Sequence, residues 1–365
     1  MSIILAVLAL GVVSFVISIV ATALMIRIAP RFGLVDKPGG RKIHDNPKPL
    51  GGGVAIFLAF AAPMLGGIAT VRSASPPSWI DPAYWAGAIQ QMPLALAFLA
   101  AILAMHVIGL IDDRKALGPY VKLLVQLAAA MVLVIAFPEV RALTALGYVP
   151  SVILTTLWIT GITNAFNLLD NMDGLSAGVG AVCATAFLIT AITIQQWFVA
   201  ATLAMLLGSL LGFLIFNFPP AKIFMGDSGS LVIGFVMGVL TVRTTYLSPG
   251  EDFGSGWYSV FAPVIVLALP LYDLIVVSII RISRGRSPFV GDTNHFSHRL
   301  VARGMSRRTA VLCIYLVTAA TSIAAIVLPH VRTTFAAMLI FAQTLLILCL
   351  IALLEQHPLP SEMRQ

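Results

Sequence analysis

Eleven apolar runs dominate the chain, and each is long enough to cross a membrane. They occupy residues 3–27, 51–71, 92–111, 121–138, 148–167, 174–192, 196–217, 229–247, 258–281, 309–329 and 333–354. A helix needs about 20 residues to cross the hydrocarbon core of a bilayer. Only 10% of the residues are charged, whereas a soluble domain has about 25%. A soluble core cannot absorb so much apolar sequence, so the runs predict that lipid surrounds most of the chain.

Only helices and closed barrels satisfy backbone hydrogen bonds within hydrocarbon. Barrel strands alternate apolar and polar residues, whereas these runs are apolar on every side. We therefore predict an all-α polytopic membrane protein with eleven transmembrane helices and a single membrane-embedded domain over residues 1–365. The first run lacks preceding basic residues and a small-residue cleavage site, which predicts a retained helix and not a signal peptide.

Lysine and arginine are distributed unevenly between the two sides of the predicted membrane domain. With the N-terminus outside, 18 of these residues lie in cytoplasmic segments and 4 in outer segments. The positive-inside rule then predicts an outer N-terminus and a cytoplasmic C-terminus. Eleven of the 15 acidic residues also lie on the cytoplasmic side or in the inner half of a helix. The functional surface should therefore face the cytoplasm, and the net charge of +7 reflects membrane-flanking loops and not nucleic-acid binding.

The third apolar run ends in two adjacent carboxylates, Asp112 and Asp113, where a helix would meet water. Such a pair can hold a divalent cation, or one member can act as a base whose pKa its neighbour raises. A solvated helix end is the alternative. The residues alone do not decide between these roles.

The fifth run ends in a dense set of amides and carboxylates. Its members are Asn164, Asn167, Asp170, Asn171 and Asp173. Asn167 lies three residues after Asn164, three before Asp170 and four before Asn171. This spacing places the four side chains on one face of a helix. A polar cluster at a membrane boundary is costly and indicates function. No Lys or Arg lies nearby in sequence, so another loop or a metal must neutralise the charge.

Asp227 stands between Gly226 and Ser228, just before the eighth run. Either Asp227 or Ser228 could cap that helix. Asp227 could equally be a carboxylate held close to a metal, beside a helix N-terminus that favours phosphate. Both interpretations remain open at this level.

Two cytoplasmic loops are rich in basic residues and histidine. The first loop contains Arg41, Lys42 and His44 before a triple glycine, which suits anion binding or a topogenic role. The last large loop contains His295, His298 and Arg299. Arginine can bind a pyrophosphate through two parallel hydrogen bonds. We therefore expect these residues to contact phosphate or uridine, in preference to binding a metal.

A lone intramembrane acid, Asp273, follows Pro270 in the ninth run. Function is the usual reason for such a residue, although a structural partner would explain it equally well.

Taken in order, these motifs resemble the polyprenyl-phosphate N-acetylhexosamine-1-phosphate transferases of glycosyltransferase family 4. The resemblance covers residues 28–308. It is carried by the Gly-x-Val-Asp-x-Pro loop with its Arg-Lys-x-His stretch, Asp112-Asp113 with Lys122 and Gln126, the Asn164–Gly174 segment, Phe224-Met-Gly226-Asp227-x-Gly-Ser and the His-Arg loop.

The resemblance implies a reaction and its participants. Members of the family transfer a sugar 1-phosphate from a UDP-sugar to a membrane polyprenyl phosphate, usually undecaprenyl phosphate, and release UMP. They require Mg²⁺ or Mn²⁺. The expected location is the bacterial inner (plasma) membrane, as a multi-pass protein with a cytoplasmic active site that starts an envelope glycan. The resemblance also admits a homodimer.

The resemblance also implies roles for individual residues. Catalysis would fall to Asp112, Asp113, Asp170 and Asp173, with Asp112 the candidate base. The metal would be held by Asp227 and Asn167. Substrate contacts would come from Arg41, Lys42, His44, Lys122, Asn164, Asn167, His295, His298 and Arg299.

Two departures from the family pattern bear on the donor sugar. Ser297 stands where many relatives have a histidine, and Asn171 stands where glycine is common. The muramoyl-pentapeptide branch typically has a triple histidine, which this chain lacks, so an N-acetylhexosamine 1-phosphate donor is favoured over the pentapeptide donor. A transporter is the rival from another class. It should place polar groups at mid-span, often in repeated halves, whereas here they cluster at cytoplasmic ends.

Overall fold

A computed structural model describes residues 3–36, 47–244, 257–289, 294–331 and 333–356. These residues form thirteen α-helices, joined by loops and short 3₁₀ turns. The helices are α1 (Ile3–Ile28), α2 (Gly52–Ser73), α3 (Pro82–Arg114), α4 (Pro119–Ala136), α5 (Tyr148–Leu169), α6 (Leu175–Thr193), α7 (Trp197–Asn217), α8 (Asp227–Arg243), α9 (Ala262–Val266), α10 (Ala268–Ser283), α11 (Phe296–Val301), α12 (Arg307–Val327) and α13 (Thr334–Gln356). The strands found among them are β1 (Val35–Asp36) and β2 (Lys48–Pro49), which pair antiparallel.

Within the described ranges, nine helices are long and apolar enough to cross a membrane, namely α1 to α7, α12 and α13. The two remaining apolar runs are also helical but shorter. One is α8, with 17 residues, and the other is split into α9 and α10, with 5 and 16 residues. Pro270 has no N–H to donate to the carbonyl of Val266, where α9 ends. The all-α polytopic class is therefore confirmed, whereas the count of eleven spans and their orientation stay predictions.

The chain divides into two compact units between Thr245 and Tyr246. In the first unit, α8 packs against α2, α3 and α5. Every residue of α8 from Ser228 to Thr241 is buried. The start of this helix is therefore held by protein on several sides, which suits a site that needs fixed geometry.

Glycines allow the helices of the first unit to approach closely. A Cβ on Gly234 of α8 would lie 2.6 Å from the Cα of Thr163 in α5. A Cβ on Gly212 of α7 would lie 2.6 Å from the carbonyl oxygen of Phe15 in α1. Helices in lipid gain little from the hydrophobic effect, so close packing through small residues holds them together.

In the second unit, α12 packs against α9, α10, α11 and α13. The short helix α11 carries the motif His295–Arg299 at its start and is also in contact with α13. Two charged side chains of α10, Asp273 and Arg281, are almost wholly buried in this unit. The prediction of a single domain over the whole chain stays a prediction.

Candidate active site

The end of α3 and the start of α8 are joined through Asp113. Its Oδ1 accepts a hydrogen bond from the amide of Asp227 at 2.7 Å, and its Oδ2 accepts one from the amide of Ser228 at 3.2 Å. The first amides of a helix lack intrahelical partners and carry partial positive charge, so a carboxylate satisfies both needs. Asp113, one of the predicted catalytic residues, thus anchors the helix that begins with Asp227.

Two glycines make this junction sterically possible. A Cβ on Gly109 of α3 would lie 2.5 Å from the carbonyl carbon of Asp227. Gly226 has a φ of +75°, and a Cβ there would lie 2.5 Å from Oδ2 of Asp113. Any larger residue at either position would push α3 and α8 apart, so both glycines serve the geometry of the carboxylates.

Lys122, near the start of α4, links the remaining carboxylates of the cluster. Its Nζ donates to Oδ2 of Asp227 at 2.6 Å and to Oδ2 of Asp112 at 3.1 Å. The other oxygen of Asp112 accepts from the amide of Leu117 at 2.7 Å. The loop between α3 and α4 therefore fixes Asp112, and one ammonium group is shared by two half-buried carboxylates.

Asn167 of α5 orients Asp227 from the opposite side. Its Nδ2 donates to Oδ1 of Asp227 at 2.9 Å and to Oγ of Ser230 at 3.0 Å. An amide nitrogen does not ligate a cation, so Asn167 acts here as a hydrogen-bond donor. Metal ligation by its oxygen stays a prediction. One turn earlier, Asn164 donates to Oε1 of Gln126 at 2.6 Å and so ties α5 to α4.

Asp170 directly follows α5 and faces an excess of negative charge. Burial raises its pKa well above the ordinary value of an aspartate, and the charges of neighbouring carboxylates raise it further. Those neighbours are, in order of effect, Asp227, Asp113 and Asp173. A carboxylate in this setting is stabilised by any cation that binds beside it.

Asp173 connects the same end of the first unit to two other segments. Its Oδ2 accepts from the amide of Ala221 at 2.9 Å, in the connection between α7 and α8. Nζ of Lys48, in β2, lies 3.9 Å from the same oxygen and 5.0 Å from the ring centroid of Phe224. Lys48 belongs to the basic loop that the sequence singled out, although no pattern in that loop indicated its partner.

The carboxylates could hold a hard divalent cation whose remaining coordination positions are filled by substrate phosphates and water. No group of three or more His, Cys, Asp or Glu in the described part of the chain is arranged to hold an ion by itself. Mg²⁺ is commonly bound through one or two carboxylates together with substrate phosphates and water. Asp227 and Asp170 can supply such oxygens, and the pKa of Asp170 is raised first by burial and then by the charges of the neighbouring carboxylates.

In the second unit, the predicted substrate residue His295 is buried against Asp273. Its Nδ1 lies 2.7 Å from Oδ2 of Asp273, while Oδ1 of Asp273 accepts from the amide of Phe296 at 3.0 Å. Its Nε2 lies 3.5 Å from Nη2 of Arg281. The sequence marked Asp273 as an unusual intramembrane acid, and its structural partner is thus His295.

Arg299 is engaged by a residue that the sequence patterns did not indicate. Its Nε and Nη2 lie 3.1 and 2.6 Å from Oε2 of Glu355 in α13. The hydroxyl of Tyr272 donates to the same oxygen at 3.2 Å. The ring of His298 lies 6.4 Å from that of His295, between centroids. Glu355 had no recognisable motif around it, so only its contacts reveal it.

Three predicted substrate residues lie outside the described residues, namely Arg41, Lys42 and His44. The remaining predicted site residues fall into two groups. The first unit brings together Asp112, Asp113, Lys122, Asn164, Asn167, Asp170, Asp173 and Asp227. The second unit brings together His295, His298 and Arg299.

Comparison with known proteins identifies the relatives of this chain. A sequence profile of glycosyl transferase family 4 matches residues 95–245. A Bacillus subtilis protein named probable undecaprenyl-phosphate N-acetylglucosaminyl 1-phosphate transferase is 34% identical over 90% of this chain and 88% of its own length. The decaprenyl-phosphate N-acetylglucosaminephosphotransferase of Mycolicibacterium smegmatis is 34% identical over 84% and 78%. The undecaprenyl-phosphate alpha-N-acetylglucosaminyl 1-phosphate transferase of Escherichia coli is 28% identical over 80% and 76%.

Proposed function

This chain belongs to glycosyl transferase family 4, and from that membership we propose that it transfers an N-acetylhexosamine 1-phosphate from a UDP-sugar to a polyprenyl phosphate. The products would be UMP and a lipid-linked sugar diphosphate. N-Acetylglucosamine is the first donor sugar to test, since the relatives from Bacillus, Mycolicibacterium and Escherichia are all named for it.

The observation that carries the proposal is the setting of Asp227. Asp227 is the first residue of a buried helix, and its carboxylate accepts hydrogen bonds from Lys122 and Asn167 of two other helices. Asp113 accepts a hydrogen bond from the backbone amide of Asp227. A carboxylate with so many fixed neighbours can hold a reacting group in one position. Precise positioning of phosphates is the main demand of phosphoryl transfer.

Charge repulsion between the two substrates is the principal barrier that the site would have to lower. A diphosphate donor and a phosphate acceptor are both anions, and the nearby carboxylates add to the repulsion. Asp227 and Asp170 would hold Mg²⁺, which when bound supplies positive charge to the donor phosphates. Lys122, whose ammonium group lies between Asp112 and Asp227, would supply further positive charge from the protein.

Asp112 is suited to hold Lys122 in position. Its Oδ1 is bound by the amide of Leu117, and its Oδ2 is bound by Nζ of Lys122. A phosphate monoester has a second pKa of about 6 and is therefore mostly ionised at neutral pH. The acceptor then needs no strong base, so we assign Asp112 a positioning role and not proton removal.

The proposed location is the cytoplasmic face of a bacterial plasma membrane. Support comes from the excess of Lys and Arg in the segments that would face inward, 18 residues against 4. The residues of the carboxylate cluster lie at helix ends, where a water-soluble nucleotide and a lipid phosphate could both reach them.

The proposal is tested with purified protein in detergent, undecaprenyl phosphate, Mg²⁺ and a panel of UDP-sugars. Release of UMP and formation of lipid-linked sugar are scored together. We expect product with at least one UDP-N-acetylhexosamine, its loss on addition of EDTA, and its recovery with Mg²⁺ or Mn²⁺. Asp227→Asn should lower kcat by about 100-fold or more, because the variant loses a carboxylate that would hold Mg²⁺.

Asp81→Asn is the matched control for this experiment. Asp81 is an exposed aspartate that accepts from the amide of Ala83 at the other end of α3, far from the cluster. Its replacement should leave the rate unchanged. Folded protein that made no product with any donor would contradict the proposed reaction, and full activity in Asp227→Asn would contradict the assigned site.

A further inference from the structure

Asp273 in α10 is a buried carboxylate to which the proposed reaction gives no role. Its exposed fraction is 0%. An ionised carboxylate is costly to bury unless hydrogen bonds and opposite charge compensate it. Both oxygens are used, since Oδ2 faces Nδ1 of His295 at 2.7 Å and Oδ1 accepts from the amide of Phe296 at 3.0 Å. Asp273 therefore holds two consecutive residues of the histidine motif.

The contacts of His295 select one tautomer of its imidazole ring. A guanidinium group can only donate hydrogen bonds, so Nε2 accepts from Nη2 of Arg281, at 3.5 Å. A carboxylate can only accept, so Nδ1 carries a proton and donates it to Asp273. The ring is 4% exposed, and both of its nitrogens face protein groups in this structure.

The helix that follows depends on these contacts for its direction. With six residues, α11 is too short to be stable through its own hydrogen bonds. Asp273 fixes its start through the amide of Phe296, and Glu355 binds Arg299 further along. Contacts at its first residue and at Arg299 therefore hold this short helix, which also carries His298, in one direction.

We propose that Asp273 is a positioning residue for sugar 1-phosphate transfer. It keeps His295 in the Nδ1–H tautomer and sets the direction of α11, the helix that carries His298 and Arg299. Asp273 itself does not touch the substrate. This inference rests on the proposed function, and the experiments below separate the failure of one from the failure of the other.

Asparagine at position 273 removes the charge with little change in volume. If its oxygen continues to accept from the amide of Phe296, its amide nitrogen must face Nδ1 of His295. The histidine then has to accept at Nδ1 and carry its proton on Nε2, towards the donors of Arg281. Asp273→Asn thus reverses the tautomer while the packing is kept, whereas Asp273→Glu keeps the acceptor charge.

The kinetic test compares the two substrates in the full-length enzyme. Removing a group that orients a site residue typically lowers activity by about 10- to 100-fold, and we expect a loss of this size in kcat/KM for UDP-N-acetylglucosamine in Asp273→Asn. The KM for undecaprenyl phosphate and the melting temperature should stay close to those of the wild type. Asp273→Glu should recover part of the loss, because the acceptor is restored.

Asp81→Asn is again the matched control, because Asp81 also accepts a hydrogen bond from the start of a helix, at the amide of Ala83, but is exposed. A double-mutant cycle with His295→Gln provides the second criterion. If Asp273 acts through His295, the double variant should be no slower than His295→Gln alone. Wild-type kinetics in Asp273→Asn, or two fully additive losses, would overturn the inference.

A readout without activity uses protein labelled with ¹⁵N at histidine. The signals of His295 are assigned by their absence in His295→Gln, and they should change from the Nδ1–H to the Nε2–H pattern in Asp273→Asn. An unchanged pattern overturns the inference even if the enzyme is active. If the pattern changes but the wild-type protein transfers no sugar from any donor, the proposed function is refuted and the positioning contact is not. If Asp273→Asn does not fold, the spectra are measured with Asp273→Glu, in which His295 should keep the Nδ1–H pattern because a carboxylate can only accept; an Nε2–H pattern in that variant overturns the inference.

Discussion

Lys122 lies among carboxylates that would otherwise repel one another. It is half-buried, and its ammonium group contacts both Asp112 and Asp227. Because the pair with Asp227 is partly shielded from water, loss of the lysine would leave a poorly compensated negative charge. The lysine therefore offsets the charge of the cluster, and in the proposed reaction it would also supply a cation for a phosphate.

Replacement of Lys122 by methionine should keep the length of the side chain and remove its charge. We expect kcat to fall by about 100-fold, since one charge-assisted contact to the transferring phosphate would be lost. Lys122→Arg should retain more activity than Lys122→Met. Steady-state rates with UDP-N-acetylglucosamine measure the effect, and the melting temperature verifies folding.

Lys115→Met is the matched control for Lys122→Met. Lys115 is exposed at the end of α3, so its replacement removes one positive charge from the same end of the first unit. If Lys115→Met were equally slow, the net charge of the surface would explain the loss, and the specific role of Lys122 would be refuted.

The raised pKa of Asp170 predicts a pH dependence of metal binding. Burial and the charges of Asp227, Asp113 and Asp173 keep its proton bound to a higher pH than in an ordinary aspartate. A cation displaces that proton, because carboxylate ligands must be ionised. The Mg²⁺ concentration for half-maximal activity should therefore fall as the pH rises through this raised pKa.

Titration of activity with Mg²⁺ at several pH values tests this dependence. In Asp170→Asn the same titration should give a weaker slope against pH, because the group that exchanges its proton is absent. A slope that is identical in wild type and Asp170→Asn would show that another group governs the dependence.

The helices themselves follow from sequence, but the contacts between them do not. Each apolar run is apolar on every side, so no stripe of residues marks the face that meets protein instead of lipid. Glycines on α8 and α7 become interpretable only with the neighbouring helix in place. The break after Val266 is a partial exception, because Pro270 signals an interruption in what was predicted as one continuous run.

Gly234→Ala should destabilise the first unit through the contact between α8 and α5. The new Cβ would lie 2.6 Å from the Cα of Thr163, so the helices must separate or strain. Overpacking of this kind costs about 1–3 kcal/mol. Thermal unfolding in detergent, followed by the loss of monodisperse protein, should show a lower melting temperature.

Gly66→Ala is the control for Gly234→Ala and should have the opposite sign. Gly66 is also within a helix, but a Cβ there meets no atom within 4 Å. Alanine favours helix over glycine by about 1 kcal/mol, so the melting temperature should stay the same or rise. Equal destabilisation by both substitutions would contradict an effect of close helix packing.

At the scale of the whole molecule, the predicted orientation can be read from the two ends of α3. Ser78 precedes this helix and Ala116 follows it, and both residues are exposed. In a variant with Cys183, Cys313 and Cys349 replaced by alanine, we expect an impermeant maleimide to label Ser78→Cys in intact spheroplasts. Ala116→Cys should react only after the membrane is opened, because the positive-inside rule puts it in the cytoplasm. The reverse pattern would place the carboxylate cluster outside the cell.

The sequence by itself determined the properties that depend on local chemistry. Long apolar runs with few charges required membrane helices, and the order of short motifs pointed to Asp112, Asp113, Asp170, Asp173 and Asp227. Such inferences are possible from sequence because hydrophobicity and side-chain chemistry belong to each residue without reference to a partner. The same reasoning marked Asp273 as unusual, since any acid within an apolar run is costly.

Only the tertiary structure decided how those residues are used. Asp113 meets the amide of Asp227 across 114 residues of chain, Lys122 meets Asp227 across 105, and Arg299 meets Glu355 across 56. Such pairs form because glycines and helix packing bring distant backbones close enough for hydrogen bonds of about 3 Å. The periodicity of a sequence does not indicate which distant segments come into contact. The sequence therefore identified the charged groups but not the partners that orient them.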